Sequence, residues 1–248
     1  MVDDVDVIML TRNSERLLRK CLASVYDNVP VRKLIVVDGY STDRTLEIVE
    51  EFHGKYGNVV VIRDKGTRGS ARQRALREVN ADWFMFVDSD VILCDDWFAK
   101  AKKLIKDNVG AVWGMEIWSV LRNSRFLKLF ARITLKIFQS RGGTHDLLVR
   151  SKALEGISIP FHLHTYEDSY IKSYIKKKGC AVVAVYDPYC LHYRPEDVWT
   201  ISQSIGFIAS DLKLALGHVQ LMFSYAFYAV IVLYESLSRS LAARRSQE

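Results

Sequence analysis

The sequence contains little of what marks secreted, disulfide-stabilised or disordered proteins. Its 248 residues are 49% hydrophobic, which argues against intrinsic disorder, and include four prolines and four cysteines. The cysteines are Cys21, Cys94, Cys180 and Cys190. They form no CxxC pair and lack metal-ligand spacing, so we expect buried thiols in a reducing compartment. The first residues, Met1-Val2-Asp3-Asp4, lack the basic and apolar segments of a secretion signal, which favours a cytoplasmic location for the catalytic part.

The positive charge is confined to one part of the chain. The net charge is +6, and the stretch 119–141 carries six basic residues and no acidic one. These residues are Arg122, Arg125, Lys128, Arg132, Lys136 and Arg141. These six residues account for the whole excess of positive over negative charge, so the rest of the chain has no net charge. This distribution predicts one cationic face, and it argues against nucleic acid as a partner.

The first half of the sequence alternates between strand-like and helix-like patterns. Short apolar runs at 5–10, 34–37, 59–62 and 83–87 are typical of strands buried on both faces, and amphipathic helical stripes separate them. Further strands are predicted at 110–115 and 181–185, and a helix is predicted to begin near Glu167. This alternation indicates βαβ units, and therefore an α/β fold with a mostly parallel sheet flanked by helices.

Polar residues follow three of the predicted strands. The first strand is followed by Thr11-Arg12-Asn13, the second by Asp38, and the fourth by Asp88-Ser89-Asp90. Ligands of open α/β sheets bind beyond the carboxyl ends of the strands, so we expect these groups to converge on one crevice. Two carboxylates at a strand end are costly unless a divalent cation or hydrogen bonds compensate them. The alternative is that the aspartates cap the residues that follow.

These motifs, in this order and spacing, resemble the inverting family-two glycosyltransferases of GT-A fold, a family that includes cellulose-synthase-like enzymes and dolichol-phosphate-sugar synthases. The resemblance extends from Val5 to about His192. The motifs that carry it are Thr11-Arg12-Asn13-Ser14-Glu15, Val37-Asp38-Gly39-Tyr40-Ser41-Thr42-Asp43-Arg44-Thr45, Gly69-Ser70-Ala71-Arg72-Gln73, Asp88-Ser89-Asp90, Gly143-Thr144 and Glu167-Asp168. It implies a GT-A (Rossmann-like) domain.

The resemblance also implies roles for individual residues. The nucleotide-binding residues would be Thr11, Asn13, Glu15, Asp38, Gly69, Arg72, Asp88 and Ser89. A Mn²⁺ or Mg²⁺ ion would be held by Asp88, Asp90 and His192, with Thr144 and Glu167 near the acceptor or sugar and Asp168 as the catalytic base. An ordinary structural role remains the alternative for three of these residues. Asp38 would then be a turn residue, Asp168 a helix cap and His192 an ordinary core histidine. His145, His162 and His164 have no comparable context, and Gly39 stands where the family usually has a second acid.

The C-terminal half suggests a membrane. The segment at about 118–139 has an apolar stripe opposite its cations, which is compatible with an interfacial helix, a helix packed on the catalytic domain or a dimer surface. Residues 1–195 would form the catalytic domain and 196–248 an apolar helical tail. Residues 214–234 would span about 31 Å as a helix, but a single crossing would place Arg239, Arg244 and Arg245 opposite the catalytic domain. We therefore expect monotopic or hairpin attachment at the cytoplasmic face, or a chain trimmed from a larger membrane domain, with a homo-oligomer through these helices as an alternative.

The predicted function is metal-dependent transfer of a hexose from a GDP- or UDP-sugar, such as GDP-mannose, to a membrane-associated acceptor. Polyprenyl phosphate, dolichyl phosphate or a lipid-linked glycan would be suitable acceptors. A sugar-phosphate nucleotidyltransferase would need a glycine-rich basic loop after the first strand, and this sequence has none there. A degenerate GT-A subunit that binds nucleotide sugars without transferring them remains the alternative.

Overall fold

The computed structural model describes residues 2–118, 143–163 and 167–193, which belong to one compact unit, Met1–Tyr193. Its first part alternates strictly between strand and helix. The elements are β1 (Val5–Thr11), α1 (Glu15–Asn28), β2 (Val31–Asp38), α2 (Thr45–Tyr56), β3 (Val59–Arg63), α3 (Arg68–Leu76) and β4 (Trp83–Asp88). All four strands predicted from the apolar runs are present, each one to four residues longer than predicted.

The second part contains shorter elements. They are β5 (Val91–Leu93), α4 (Trp97–Lys102), β6 (Val109–Trp118), β7 (Asp146–Arg150), a 3₁₀ turn (Ser151–Leu154), α5 (Glu167–Lys177) and β8 (Ala181–His192). The strands predicted at 110–115 and 181–185 lie inside β6 and β8, and α5 begins at the predicted residue, Glu167. Strands β5 and β7 were not predicted.

The eight strands form one sheet in the order β3-β2-β1-β4-β7-β6-β8-β5. Strands β3, β2, β1 and β4 are parallel. Strand β7 runs antiparallel to both β4 and β6, and β5 runs antiparallel to β8. Strands β6 and β8 pair in parallel and run in the same direction as β4, because β7 is antiparallel to both β4 and β6. The α/β fold with a mostly parallel sheet is therefore confirmed, and among these eight strands only β7 and β5 run in the opposite direction.

Helices cover both faces of the sheet because successive residues of a buried strand point to opposite sides. In β1, Met9 joins the core under α1 and α4, whereas Ile8 joins the core under α3 and α5. Both side chains are fully buried. The apolar runs of the first half are continuous for this reason, and burial on both faces fixes the strand ends that carry the polar groups.

Several predicted features lie outside the described residues. They are nearly all of the basic amphipathic segment at 118–139 and the whole of the apolar tail at 196–248, and with them the predicted domain boundary. Within the described part of the chain, no helix is long and apolar enough to cross a bilayer. Of the four thiols, Cys21, Cys94 and Cys190 are buried as expected, and Cys180 is half-buried.

Candidate active site

The carboxyl ends of three neighbouring strands bring the predicted polar residues to one edge of the sheet. Thr11 at the end of β1 pairs in register with Asp38 at the end of β2. On the other side of β1, Leu10 pairs with Asp88 at the end of β4. The three polar strand ends therefore lie side by side, which is the arrangement that the strand order of an open parallel sheet produces.

The loops after β1 and β2 are joined by reciprocal hydrogen bonds. The Asn13 amide donates to Ser41 Oγ (2.9 Å), and the Thr42 amide donates back to Asn13 Oδ1 (2.9 Å). The Arg44 amide donates to Glu15 Oε2, also at 2.9 Å. Asn13 adopts a positive φ of 50°, a conformation that asparagine tolerates better than most residues. The Asn13 and Glu15 side chains thus connect the two loops that border the crevice.

The carboxylate of Asp38 is fully buried and accepts several hydrogen bonds. Its donors include Thr11 Oγ1 at 3.1 Å and the Ser41 amide at 2.9 Å. The half-exposed Arg63 guanidinium lies 3.1 Å away through its Nε atom. Of these three partners Thr11 is buried, whereas Ser41 is partly accessible and Arg63 is the most exposed.

The Asp88-Ser89-Asp90 segment forms a hydrogen-bonded chain of alternating carboxylates and imidazoles with Glu116 of β6, His192 at the end of β8 and His145 in the turn before β7. His145 Nδ1 lies 3.0 Å from Asp88 Oδ2, and His145 Nε2 lies 2.9 Å from Glu116 Oε2. Glu116 Oε1 in turn lies 2.5 Å from His192 Nδ1, and His192 Nε2 lies 2.9 Å from Asp90 Oδ2. The order is therefore Asp88, His145, Glu116, His192, Asp90, and we call these residues the acid–histidine cluster.

Backbone contacts hold this cluster in place. The Asp88 amide donates to the His145 carbonyl at 3.2 Å, and the Tyr193 amide donates to the Asp90 carbonyl at 2.9 Å. Beneath the cluster, the buried Asp146 accepts from Trp97 Nε1 at 2.9 Å. A Cβ atom at Gly114 would overlap Asp146 Oδ2, so this packing requires glycine. His192 is the last residue of β8, and His145 lies in the turn that immediately precedes β7, with its carbonyl bonded to the end of β4.

The cluster has the composition of a divalent-cation site. One potential ligand atom from each of Glu116, His145 and His192 lies within 4.8 Å of the other two. Carboxylate oxygens suit both Mg²⁺ and Mn²⁺, whereas imidazole nitrogens favour transition metals such as Mn²⁺ over Mg²⁺. The residues present thus fit a divalent ion, and they fit Mn²⁺ better.

Charges within the cluster shift the pKa values of its members. Burial raises the pKa of Asp88, but His145, Arg72 and His192 outweigh it and hold that pKa below its ordinary value. Burial lowers the pKa of His192, but hydrogen bonds to Asp90 and Glu116 raise it to about 10. Three carboxylates in one place therefore favour positive charge between them, whether it comes from an imidazolium or from a metal ion.

The remaining predicted residues surround this cluster. The buried Arg72 guanidinium lies 3.3 Å from both Asp88 Oδ1 and Glu167 Oε1. Asp168 follows Glu167 at the start of α5 and is half-buried, with its Oδ1 accepting from the Ser169 amide at 2.6 Å. The structure thus connects the helix that carries Asp168 to the Asp88 end of the crevice.

Three further predicted residues have packing roles. Ser89 Oγ lies 3.0 Å from Ser14 Oγ, which joins the β4 end to the loop after β1. Thr144 is buried next to His145. Gly69 donates its amide to the Leu163 carbonyl (2.9 Å), and a Cβ atom there would lie 2.6 Å from the Pro160 carbonyl. Gly69 therefore allows close packing of α3 against the loop before α5, and this role does not depend on a contact between Gly69 and the nucleotide.

Sequence reasoning missed two members of the cluster. His145 was predicted to have no functional context, and this was wrong because the turn before β7 places it between Asp88 and Glu116. Its position beside the Gly143-Thr144 motif was a usable signal. Glu116 was not singled out at all, because in sequence it is an ordinary polar residue in the β6 run.

The sheet order and the position of the cluster define the GT-A class of fold. A model of the family "Glycosyl transferase family 2" matches residues 6–147, which is more than half of the chain. The protein belongs to this family.

A curated relative is similar over much of this chain. The poly(ribitol-phosphate) beta-glucosyltransferase of Bacillus spizizenii (strain W23) is 27% identical over 206 residues, covering 75% of this chain and 32% of the relative. The present chain thus spans about a third of that protein's length.

Two solved structures share the fold. A mannosyltransferase from Pyrobaculum calidifontis in complex with GDP-Man and Mn²⁺ superimposes with a TM-score of 0.64 at 22% identity, covering 77% of this chain and 57% of that one. S. aureus TarS 1–349 in complex with UDP-GlcNAc gives the same TM-score at 23% identity, covering 78% and 59%. At these identities the likeness concerns the fold.

Proposed function

We propose that this protein transfers a hexose from a nucleoside diphosphate sugar to a hydroxyl or phosphate acceptor, with inversion at the anomeric carbon and with the help of a divalent cation. The observation that carries the proposal is the acid–histidine cluster at the end of β4, with the helix bearing Asp168 tied to it through Arg72. Family membership supports it independently.

The cluster would supply the electrostatic part of the reaction. A divalent ion held by Asp90, His192 and their neighbours would neutralise the negative charge that develops on the departing diphosphate. Both ring nitrogens of His145 and of His192 lie within hydrogen-bond distance of carboxylates, so an ion would replace one of these contacts at each imidazole that it binds. Glu116 contacts both histidines and therefore orients both imidazole rings.

Asp168 is our proposed base. An inverting transfer needs one group that accepts a proton from the attacking acceptor, on the side opposite the leaving nucleotide. Asp168 lies in the first turn of α5, near the end of the helix dipole that attracts negative charge. It is half-buried, whereas Glu167 beside it is buried.

The nucleotide would bind along the ends of β1 and β2. Thr11, Asn13, Glu15 and Asp38 border this part of the crevice. The structural neighbours bind GDP-Man in one case and UDP-GlcNAc in the other. We therefore propose a GDP- or UDP-sugar as donor, with GDP-mannose as one candidate.

For the acceptor we propose a polymer or lipid carried at the cytoplasmic face of the membrane. The curated relative is named for action on poly(ribitol-phosphate), a hydroxyl-bearing phosphate polymer. The basic amphipathic pattern at 118–139 would suit an anionic membrane surface or such a polymer. Poly(ribitol phosphate) and polyprenyl phosphate are the two acceptors to compare.

Nucleoside diphosphate release tests the proposal. With Mn²⁺ and a panel of UDP- and GDP-sugars, the wild type should release nucleotide faster when an acceptor is added. Asp90→Asn should abolish metal-dependent release, and Asp168→Asn should retain nucleotide binding but lose transfer. Asp107→Asn, at an exposed site, is the matched control. Full turnover by Asp168→Asn would refute the base assignment, and nucleotide-sugar binding without turnover by the wild type would favour a binding subunit.

Membrane attachment has a separate test. The wild type and a variant with Arg125, Lys128 and Arg132 changed to Gln should be mixed with vesicles of phosphatidylcholine and phosphatidylglycerol. We expect the wild type to sediment with the vesicles and the variant to remain in the buffer to a larger extent. Equal partitioning of the two proteins would contradict a role for these cations.

A further inference from the structure

We propose that Arg72 is a positioning residue that holds the start of α5, and with it Asp168, at a fixed place relative to Asp88, and that it does so through Glu167. The inference rests on the proposed function, since it concerns the placement of the proposed base. It differs from the expectation that Arg72 acts chiefly on the diphosphate and that Glu167 lies at the acceptor.

The burial of Arg72 and Glu167 distinguishes a positioning role from direct contact with the diphosphate or the acceptor. The side chain of Arg72 is 3% exposed and that of Glu167 is 6% exposed. A carboxylate this deeply buried is not available to an acceptor hydroxyl, and a buried carboxylate is costly unless a cation is next to it. Arg72 Nε, 3.3 Å from Glu167 Oε1, is that cation. The pair is therefore part of the interior that supports the crevice.

The guanidinium is held on its other side as well. Its Nη2 lies 3.3 Å from Asp88 Oδ1, and its plane lies over the Phe86 ring with a centroid distance of 5.0 Å. The planar fork of arginine can meet two carboxylates from different directions at once, which the single ammonium of lysine does not reproduce. Arg72 thus links the β4 end, where the nucleotide and the cation would bind, to the first residue of α5.

The helix geometry transmits this link to Asp168. Glu167, Ile171 and Ile175 are all buried and recur at the i, i+4, i+8 spacing of one helix face. Asp168 is one residue further on and is turned about 100° away from that face. Ile171 and Ile175 fix the middle of α5 against the core. Glu167 fixes its first turn, so the position of Asp168 depends on the Arg72–Glu167 pair.

A kinetic comparison of Glu167→Ala and Arg72→Lys tests the inference. The donor is whichever nucleotide sugar the wild type uses best, and the acceptor is poly(ribitol phosphate) or polyprenyl phosphate. A misplaced base slows the chemical step, so we expect kcat to fall about 10- to 100-fold in both variants. Two constants of Glu167→Ala should stay within about twofold of the wild-type values. They are the Kd of the matching nucleoside diphosphate in the presence of Mn²⁺ and the KM of the acceptor.

The double variant should be no slower than the worse single one, because both changes break the same link. Arg74→Gln is the matched control, since Arg74 lies on the same helix with its side chain half-exposed, and its kcat should be unchanged. A Glu167→Ala variant with normal kcat, or with a raised acceptor KM at normal kcat, would overturn the inference. So would multiplicative losses in the double variant.

Hydrogen exchange separates a failure of this inference from a failure of the proposed function. Amides 171–174 of α5 donate to the carbonyls of its first turn, 167–170, and should exchange faster in Glu167→Ala and Arg72→Lys than in Arg74→Gln, whether or not any sugar donor is turned over. If the wild type shows no transfer, the proposed function fails and exchange alone decides the inference. Unchanged exchange at 171–174 in both variants would overturn it.

Discussion

Glu116 is the residue on which a sharp test of the metal site depends. It is the only member of the acid–histidine cluster that contacts both imidazoles, at 2.9 Å from His145 Nε2 and 2.5 Å from His192 Nδ1. We predict that Glu116→Gln weakens Mn²⁺ binding. A glutamine has nearly the same shape, but it offers one acceptor oxygen instead of two and carries no charge.

The size of the effect follows from these contacts. With one oxygen, the substituted glutamine can accept from only one histidine, and its amide N–H₂ then faces the other. If Glu116 only orients the two imidazoles, losing that support should cost about 10- to 100-fold in affinity, or about 1.4 to 2.7 kcal/mol. If Glu116 also coordinates the ion, the loss should be at the upper end of this range or beyond it.

Electron paramagnetic resonance of free Mn²⁺ measures the affinity directly, without turnover. The wild type, Glu116→Gln and the control Glu50→Gln should be titrated at one pH and salt concentration. Glu50 is exposed on α2, far along the chain from the cluster, so its variant should match the wild type. Mn²⁺ affinity within twofold of the wild type in Glu116→Gln would refute the assignment of this cluster as the metal site.

Two further predictions concern buried titratable groups. Burial raises the pKa values of the Cys21, Cys94 and Cys190 thiols, so at pH 8 iodoacetamide should label at most one thiol of the folded protein and all four after denaturation, as intact mass will show. Burial raises the pKa of Asp146 well above its ordinary value despite the hydrogen bond from Trp97, so the folded state retains a proton that the unfolded chain releases. Stability should therefore fall as pH rises from 5 to 8. Asp146→Asn should flatten this fall in Tm, and an unchanged slope would contradict the assignment.

The parallel half of the fold could be predicted because its signal is local. Strands such as β1 and β4 are buried on both faces, so they appear in the sequence as unbroken apolar runs. The general rule for open sheets then predicted that Thr11, Asp38 and Asp88 lie in one crevice. The structure has these three residues at adjacent strand ends.

Strands β5 and β7, which run against the other strands of the sheet, could not be predicted in the same way. Strand β5 has three residues, and β7 begins and ends with charged residues, so neither has a recognisable period. Their places depend on pairing with distant strands, β8 for β5 and both β4 and β6 for β7. The same non-local pairing brings His145 and Glu116 to Asp88. A cluster assembled from three strands and two turns leaves no spacing pattern in the sequence.

The reciprocal bonds between the loops after β1 and β2 have a consequence for the evolution and engineering of donor choice. Asn13 bonds to the Ser41–Thr42 segment, and Glu15 bonds to Arg44, so each loop supplies the other's hydrogen-bond partners. The donor in each of these bonds is a backbone amide, so replacing Asn13, Glu15 or Ser41 would leave a backbone N–H of the other loop without its acceptor. Thr42 and Arg44 take part in these bonds through their backbone amides, so their side chains can change while the bonds persist. Libraries aimed at the proposed nucleotide border should therefore vary Thr42 and Arg44 and retain Asn13, Glu15 and Ser41.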